Sequence, residues 1–509
     1  MTPNTEDKPV TGTLHFENAV PVDYEPDGAM SIGRYLSTRM STLRPTMSLP
    51  PSPFKLLAML NRQQWLYFGV GMCAWTWDAF DFFSVSLTLT DLAASFHKSN
   101  TDISWGITVV LMLRSVGSII FGLASDRYGR KWPFVINNVL FIMLELGTGF
   151  CQTYKQFLAC RALFGIAMGG MYGNAVATAL EDCPAAARGL MSGILQMGYI
   201  LGYLLCTVFA RALVDTTSHG WRPLYWFGAC PPVLFIIYRL CLDETQTFKE
   251  RETVRKVNMH STQTFVAETK VAFRRHWLLL IYMVLLLAGL QFQTHGTQDL
   301  YPTLLKNQYG LSANAITVTQ VVANIGAFSG GVTVGYLSQV FGRRLSVIVA
   351  CTVAGLLLYP YTFTSSKAII AAAFFEQFFV EGALGVVPIH LMELSPGSLR
   401  TFAVGTAYQL GNLASSASST IEAKLGERFP LTPTAKGVKR YDYGKVMCIL
   451  SACALVFVII LMLIGPEKRG IALDVRHDED MEEVVGHVDI DKVLDHGMQD
   501  RHDDVEVAR

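Results

Sequence analysis

A cluster of proton carriers and hydrogen-bonding side chains follows an apolar segment near the middle of the chain. The segment Gln291–Thr303 contains His295, Gln298 and Asp299, and it begins just after the hydrocarbon run Trp277–Ala288. Ionisable groups in an apolar span are costly, so they are candidates for a functional site. A helix would present on one side the positions 291, 295, 298, 299 and 302. The spacing therefore predicts one polar wall of a pathway.

His295 and Asp299 are separated by four residues, which places them one above the other on a helix face. Because imidazole titrates at a pH of about 6.5, the pair is a candidate for loading a proton near neutral pH. The alternative is a buried hydrogen bond that only fixes the helix. Thr294 and Gln298 are candidate hydrogen-bond donors to a substrate carboxylate.

The composition indicates an integral membrane protein. The chain has 509 residues, of which 51% are apolar and only 16% are charged, whereas soluble domains have about 25% charged residues. Apolar runs of about 20 residues match the hydrocarbon thickness of a bilayer, and the net charge of zero gives no indication of nucleic-acid binding. None of the ten cysteines forms a CxxC pair, so we expect neither a metal site nor a cofactor.

The pattern of apolar runs predicts an all-α membrane protein with about twelve transmembrane helices. Their approximate cores are 65–89, 104–124, 132–150, 157–179, 189–212, 222–242, 277–300, 315–338, 345–364, 368–391, 401–421 and 445–465. The polar N-terminus carries no signal-peptide pattern. Basic residues in 243–276 place that stretch in the cytoplasm by the positive-inside tendency, and the even number of spans then places both termini there.

These features divide the chain into five predicted regions. They are a cytoplasmic N-terminal tail (1–62), an N-terminal six-helix bundle (63–242), a cytoplasmic central loop (243–276), a C-terminal six-helix bundle (277–466) and an acidic cytoplasmic tail (467–509). The acidic tail is poor in aromatic residues, so we expect it to be largely disordered. Both tails are candidates for binding trafficking or regulatory proteins.

Two short patterns recur at nearly constant separation. The segment Gly122–Lys131 is echoed by Gly335–Arg344 at an offset of 213, and Glu181-x-x-Pro-x-x-x-Arg188 is echoed by Glu393-x-x-Pro-x-x-x-Arg400 at an offset of 212. Two patterns with nearly the same offset indicate an internal repeat of six spans, which is a common basis of transporter symmetry.

The first repeated pattern resembles the signature loop of the major facilitator superfamily. The resemblance covers roughly residues 63–470 and implies two pseudo-symmetric six-helix bundles, alternating access and a substrate site between the bundles. It implies gating roles for Gly122, Asp126, Gly129, Arg130, Gly335, Gly342 and Arg343. The second copy has Gln339 where the first has Asp126, so a charge latch is expected in the N-terminal half.

The repeat offset points to further candidate residues for the site. Asp78 and Asp81 in the first span map beside the polar cluster of the seventh span, and they are candidates for proton coupling. Arg114 lies well inside a span, where its guanidinium is a candidate to bind a carboxylate through two parallel hydrogen bonds. The alternative is a structural ion pair with Asp78 or Asp81. Three amides on the fifth and eleventh spans are candidate substrate ligands: Gln196, Gln409 and Asn412.

The run Thr294–Thr303 resembles the signature of fungal Jen-type carboxylate permeases, which are proton symporters grouped with sialate transporters. The match includes His295, Gln298 and Asp299, whereas Gln291 stands where the signature has Asn. The resemblance implies uptake of lactate, pyruvate, acetate, propionate, malate or succinate with protons at the plasma membrane.

Three other functions remain open from the sequence. The same fold could serve a sialate, sugar or phosphate symporter, although phosphate would favour more basic residues and sugar would favour aromatic platforms. A nutrient sensor that does not transport would favour longer cytoplasmic extensions. A membrane enzyme is not expected, because the chain has no H-E-x-x-H, G-x-S-x-G or P-loop motif.

Overall fold

A computed structural model describes residues 32–45, 51–214, 216, 218–256, 261–426, 428–432, 440–475, 478–485 and 493. The described residues form an all-α membrane protein with twelve helical spans. From first to twelfth, the spans are Arg62–Leu87, Asn100–Tyr128, Lys131–Phe150, Tyr154–Leu180, Arg188–Leu213, Arg222–Gly228 with Cys230–Leu240, Ser261–Gln298, Ala313–Phe341, Arg343–Phe363, Ala368–Leu394, Arg400–Ser415 with Ser418–Gly426, and Tyr443–Ile464.

Shorter elements connect or flank the spans. They are helices Ile32–Ser41, Pro53–Ala58, Leu89–Phe96, Gln246–Arg255, Tyr301–Thr303 and Glu479–Val485, the π-helix Leu304–Gln308, the 3₁₀ turn Gly397–Leu399, and the paired strands Pro430–Leu431 and Arg440–Tyr441. Besides the sixth and eleventh spans, three more are each formed by two helices, with breaks after Gly169, Gln196 and Gly385.

By length and composition, nine helices in the described part of the chain are able to cross a membrane. The first, sixth and eleventh spans are not among them. The first contains two aspartates and three tryptophans, and the other two are each broken into shorter helices. The outer surface exposes large apolar side chains such as Ile120, Met143, Leu163 and Leu356, as expected of a surface that faces lipid.

The spans form two six-helix halves related by the sequence repeat. Glycines permit the same close helix packing in both halves. A Cβ on Gly117 would lie 1.9 Å from the carbonyl oxygen of Ile166, and one on Gly330 would lie 1.9 Å from that of Phe378. Gly330 follows Gly117 at the repeat offset of 213 (330 − 117). The second span therefore packs on the fourth as the eighth packs on the tenth. The duplication that the two loops predicted thus extends to helix packing.

The two halves meet along the second and eleventh spans and along the fifth and eighth. A Cβ on Gly122 would lie 2.7 Å from the Cα of Phe402, and one on Gly193 would lie 2.4 Å from the carbonyl oxygen of Gly331. We call the end of the molecule with the repeated loops (residues 125–131, 181–188, 338–344 and 393–400) the motif end, and the other the far end.

The structure differs from the sequence predictions at the motif end. The seventh helix begins at Ser261 rather than near residue 277, and helix Gln246–Arg255 occupies part of the predicted central loop. The tail is not disordered throughout: residues 478–485 are described, and Met481 is buried with Val254 and Val475. The remainder of both tails (residues 1–31, 46–50, 476–477, 486–492 and 494–509) lies outside the described residues.

Candidate functional site

The seventh span places its acid–base pair at its far end. Nδ1 of His295 lies 3.2 Å from both carboxylate oxygens of Asp299, and the two side chains are 23% and 36% exposed. Asn412 of the eleventh span lies within hydrogen-bonding range of His295, and Glu381 of the tenth span is a further neighbour. Because these neighbours belong to different spans, the pair faces the interior of the molecule.

Gln298 links the seventh span to the tenth. Its Nε2 donates hydrogen bonds to Oε1 of Gln377 and Oε1 of Glu381, each at 2.8 Å. The helix ends at Gln298, so the predicted polar face does not continue to Pro302, which lies in the separate helix Tyr301–Thr303. The polar wall predicted for the seventh span therefore consists of the His295–Asp299 pair and the amide of Gln298, which bonds to the tenth span.

Arg114 pairs with Asp78 inside the N-terminal half. Nη2 of Arg114 lies 3.2 Å from Oδ2 of Asp78, and both side chains are almost fully buried. Nε of Arg114 and Oδ1 of Asp78 have no hydrogen-bond partner among the described residues. The ion pair considered from the sequence is therefore present, but it leaves hydrogen-bonding capacity on both members.

Asp81 lies apart from this pair. It is fully buried, it interacts more strongly with the charges of Glu145 and Arg161 than with Asp78, and a Cβ on Gly228 of the sixth span would lie 3.0 Å from its Oδ1. Glu145 and Arg161 form their own ion pair at 2.9 Å. The structure thus brings Asp78 to Arg114 but places Asp81 among the helices of the N-terminal half.

Aromatic side chains from both halves lie between the polar groups. Tyr172 stacks on Tyr408 with ring centroids 3.7 Å apart, Trp75 contacts both rings, and Tyr199 stacks on Trp75 at 5.6 Å. We call these four residues the aromatic floor. Three of them are almost fully buried, so the floor is a packed contact between the two halves.

Tyr199 lies within electrostatic range of both polar clusters. Arg114 and Asp78 of the N-terminal half and Asp299 of the C-terminal half all interact with its hydroxyl over that range. We call the surrounding region, from Arg114 and Asp78 to the His295–Asp299 pair, the central site.

The remaining predicted ligands occupy different surroundings. Gln196 accepts a hydrogen bond from the Tyr172 hydroxyl at 3.3 Å, and Thr294 donates its hydroxyl proton to the carbonyl of Leu290. Gln409 is fully buried, and neither end of its amide has a partner among the described residues. Asn412 therefore approaches the acid–base pair, Gln196 supports the floor, and Thr294 is bonded to its own helix.

The repeated loops form matching arginine–glutamate clamps at the motif end. Arg130 binds Glu181 through Nε at 3.1 Å and Nη2 at 3.0 Å, and Arg343 binds Glu393 through the same two nitrogens at 2.9 and 3.0 Å. Gly129 and Gly342 follow helix ends with φ of 92° and 93°, a region that favours glycine. Each clamp lies within one half and fixes its own loop.

Asp126 joins the two halves at the start of the eleventh span. Its carboxylate accepts hydrogen bonds from the backbone N–H groups of Thr401 at 3.0 Å and Phe402 at 2.8 Å. The equivalent Gln339 instead accepts from Arg343 of its own half. The link therefore exists on one side of the pseudo-symmetry axis, at the position where the sequence has the aspartate.

Glu181 provides a second link between the halves. Its Oε1 lies 3.0 Å from Nη1 of Arg400 in the C-terminal half. Burial alone raises the pKa of Glu181, but Arg130 and Arg400 outweigh burial and hold the pKa below its ordinary range. The carboxylate therefore stays ionised, and the motif end is closed by charged contacts while His295 and Asp299 remain partly exposed.

Sequence reasoning missed the aromatic floor and the contact between Glu381 and Gln298. The rings of Tyr172 and Tyr408 meet only because the two halves pack together, and no local pattern in the sequence marks such a contact. Glu381 did carry a signal, since it is a carboxyl in an apolar run, but its position beside Gln298 depends on how two distant helices pack.

Comparisons with known proteins agree with this architecture. Residues 61–475 match the family described as "Sugar (and other) transporter". The chain is 40% identical over 473 residues to the carboxylic acid transporter protein homolog of Saccharomyces cerevisiae, covering 88% of this chain and 77% of that protein. It is 25% identical over 346 residues to the cis,cis-muconate transport protein of Acinetobacter baylyi, covering 68% and 83%.

The fold has solved counterparts. The proton:xylose symporter XylE, a major facilitator superfamily protein, matches with a TM-score of 0.64 at 19% identity, covering 83% of this chain and 99% of that one. These matches define a transporter of the major facilitator superfamily, not an enzyme. The chain belongs to the sugar (and other) transporter family, in the same group as the yeast carboxylic acid transporter homologue.

The link at Asp126 gives a testable prediction. Asp126→Ala should expose the amides of Thr401 and Phe402, because removing a helix cap costs about 0.5–2 kcal/mol. We expect about tenfold faster hydrogen exchange in the peptide that contains them, measured by mass spectrometry. Gln339→Ala is the matched control and should leave that peptide unchanged. Equal exchange in Asp126→Ala and the wild type would contradict the assignment.

Proposed function

We propose that this protein is a proton-coupled symporter that imports short-chain mono- or dicarboxylates by alternating access. One observation carries the proposal: an arginine whose ion pair leaves Nε without a partner among the described residues and a partly exposed His–Asp pair of the opposite half both lie within electrostatic range of Tyr199. An arginine offers two parallel donors to a carboxylate, and a His–Asp pair takes up protons near neutral pH. The central site thus combines groups for both cargoes.

The mechanism follows from the pairing in the central site. A proton enters from the far end at the His295–Asp299 pair, which is the more exposed part of the site. The substrate carboxylate then binds Arg114, whose Nε is free of partners among the described residues, with Asn412 beside it. Asp78 holds the guanidinium until the anion arrives. Neutralising these charges lowers the cost of closing the far end.

The driving force depends on the substrate. A difference of one pH unit supplies about 1.4 kcal/mol of free energy per proton. A membrane potential of about 100 mV changes the free energy of transport by about 2.3 kcal/mol for each net charge that crosses the membrane. A monocarboxylate carried with one proton moves no net charge, so only the pH difference drives it. A dicarboxylate needs two or more protons to avoid opposition from the membrane potential.

The relatives support a carboxylate as the class of substrate. The orientation of the protein in the membrane is a prediction from its basic residues. The yeast and Acinetobacter relatives are named as transporters of a carboxylic acid and of cis,cis-muconate. We place the protein in the plasma membrane with the motif end and both termini in the cytoplasm, because the basic residues of 243–276 belong to that end. No cofactor is required beyond the proton gradient.

A sugar is the second candidate substrate, because aromatic side chains lie in the central site. The faces of Tyr172 and Tyr408 are occupied by each other, however, with centroids 3.7 Å apart, and Trp75 is only 1% exposed. Unlabelled xylose or glucose should therefore compete poorly with a labelled carboxylate for uptake.

Uptake measurements test the function directly. Cells that produce the protein should accumulate radiolabelled lactate or succinate faster at mildly acidic than at neutral pH, and a protonophore should abolish accumulation, because only the proton gradient drives it. Cells without the protein serve as the control. Accumulation that is indifferent to the protonophore would exclude proton symport, and signalling without accumulation would indicate a sensor.

Arg114→Lys tests the carboxylate clamp. Lysine keeps the charge but not the two parallel donors, so about 1.5–3 kcal/mol of charged hydrogen bonding is lost. We expect a roughly 10- to 100-fold lower apparent affinity for lactate at unchanged surface abundance. Arg211→Lys changes an exposed arginine and is the matched control. Wild-type affinity in Arg114→Lys would remove Arg114 from the binding site.

His295→Ala tests proton loading. Removing the imidazole should impair uphill accumulation and flatten the pH profile of uptake, because Asp299 loses its partner at 3.2 Å. His219→Ala changes an exposed histidine between the fifth and sixth spans and should behave as the wild type. An unchanged pH profile in His295→Ala would assign proton coupling to other residues.

A further inference from the structure

A hydrogen-bond chain fixes which end of the Gln298 amide faces the central site. The Tyr361 hydroxyl donates its one proton to the carbonyl oxygen of Thr297 at 2.6 Å, and a carbonyl only accepts. The Tyr361 oxygen therefore accepts from Nε2 of Gln377 at 3.4 Å. This leaves Oε1 of Gln377 to accept from Nε2 of Gln298 at 2.8 Å.

Glu381 accepts a hydrogen bond from the second proton of the Gln298 amide nitrogen. Its Oε1 accepts from Nε2 of Gln298 at 2.8 Å, and an amide nitrogen carries two protons. Both donors of Gln298 are thus taken, and its remaining oxygen is an acceptor. A half-buried acceptor repels a substrate carboxylate, so Gln298 cannot assist anion binding while this arrangement lasts.

Protonation of Glu381 would reverse the arrangement. A protonated carboxyl has one donor, and Oε1 of Gln377 is an acceptor bonded to the same amide nitrogen. That oxygen lies at most 5.6 Å from Oε1 of Glu381, because each is 2.8 Å from the same nitrogen (2.8 + 2.8). Once Glu381 donates to Gln377, the Gln298 nitrogen is released and can donate to an anion.

Titratable groups from two other spans surround Glu381. His295 of the seventh span interacts electrostatically with Glu381, Glu381 in turn acts on Tyr408 of the eleventh, and Nδ1 of His295 lies 3.2 Å from Asp299. Arg114 acts on the same Tyr408. Exposure falls from 36% at Asp299 and 23% at His295 to 7% at Glu381, so the order of the groups leads inward from the far end.

Other helices that pack against this part of the tenth span present small or apolar groups. Gly382 faces Val334, and Gly385 faces the backbone of Gly331. Along the tenth span itself, the neighbouring carboxyl is Glu376, which is fully buried and whose oxygens have no partner among the described residues.

We propose that Glu381 is a proton-controlled positioning residue, which converts Gln298 from a hydrogen-bond acceptor into a donor for the substrate carboxylate. The proposal rests on the carboxylate symport proposed above. It adds the residue through which proton binding controls binding of the substrate carboxylate. The proton comes from the far-end solvent through Asp299 and His295, and the Glu381 carboxylate is regenerated when proton and substrate leave at the motif end.

Glu381→Gln imitates the protonated state, since an amide can donate to Gln377 permanently. Binding of radiolabelled lactate to the purified protein should then be independent of pH, whereas wild-type affinity falls as the pH rises. Exchange of labelled for unlabelled lactate in proteoliposomes should persist, while accumulation driven by a pH gradient is lost. Glu376→Gln is the matched control on the same helix and should keep the wild-type pH dependence.

Gln298→Leu tests the same switch with Glu381 intact, which covers the case in which Glu381→Gln does not fold. Its loss of lactate affinity should be about tenfold or more at acidic pH and close to none at neutral pH. An equal loss at both pH values, or a Glu381→Gln variant with wild-type pH dependence and accumulation, overturns the proposal. If the wild type itself shows no proton-driven uptake, the proposed function fails instead.

Discussion

A charge inside the hydrocarbon slab needs a counter-charge or access to water, and this constraint governs the arrangement of the protein. In each half, a bidentate clamp (Arg130–Glu181 or Arg343–Glu393) satisfies it completely at the motif end. The Arg114–Asp78 pair satisfies it only in part, because one polar atom on each side lacks a partner among the described residues. The Arg114–Asp78 pair therefore keeps hydrogen-bonding capacity that the clamps do not.

Contacts within one half differ from contacts between the halves in what alternating access would require of them. The former can persist during transport, whereas the latter must break. Each clamp lies within one half, so it keeps its loop rigid whichever end is open. The contacts of Asp126 with the eleventh span and of Arg400 with Glu181 join the halves, so opening the motif end must break them. Since Gln339 bonds within its own half, the C-terminal copy of the loop has no equivalent of the Asp126 link in the described part of the chain.

Much of the fold was predictable because apolar runs and the repeat are local signals. The sequence could not show that the seventh helix begins at Ser261, because its first turns lie beyond the apolar run that marks the span. The tail helix was missed because Arg251 and Asp478 meet through tertiary packing. Likewise, His295 and Asp299 were predictable from i, i+4 spacing, whereas Gln298–Glu381 and Tyr172–Tyr408 depend on contacts between distant helices.

The balance of charge in the central site gives a reason for coupling anions to protons. One arginine, Arg114, stands against the carboxyl groups of Asp78, Asp299 and Glu381. A substrate carboxylate adds a further negative charge in a region of low dielectric, where like charges repel strongly. Protons taken up by His295 or by a carboxyl remove this repulsion. Under the proposed symport, anion and proton would therefore bind most favourably together, whereas a site with more arginines would bind the anion without requiring the proton.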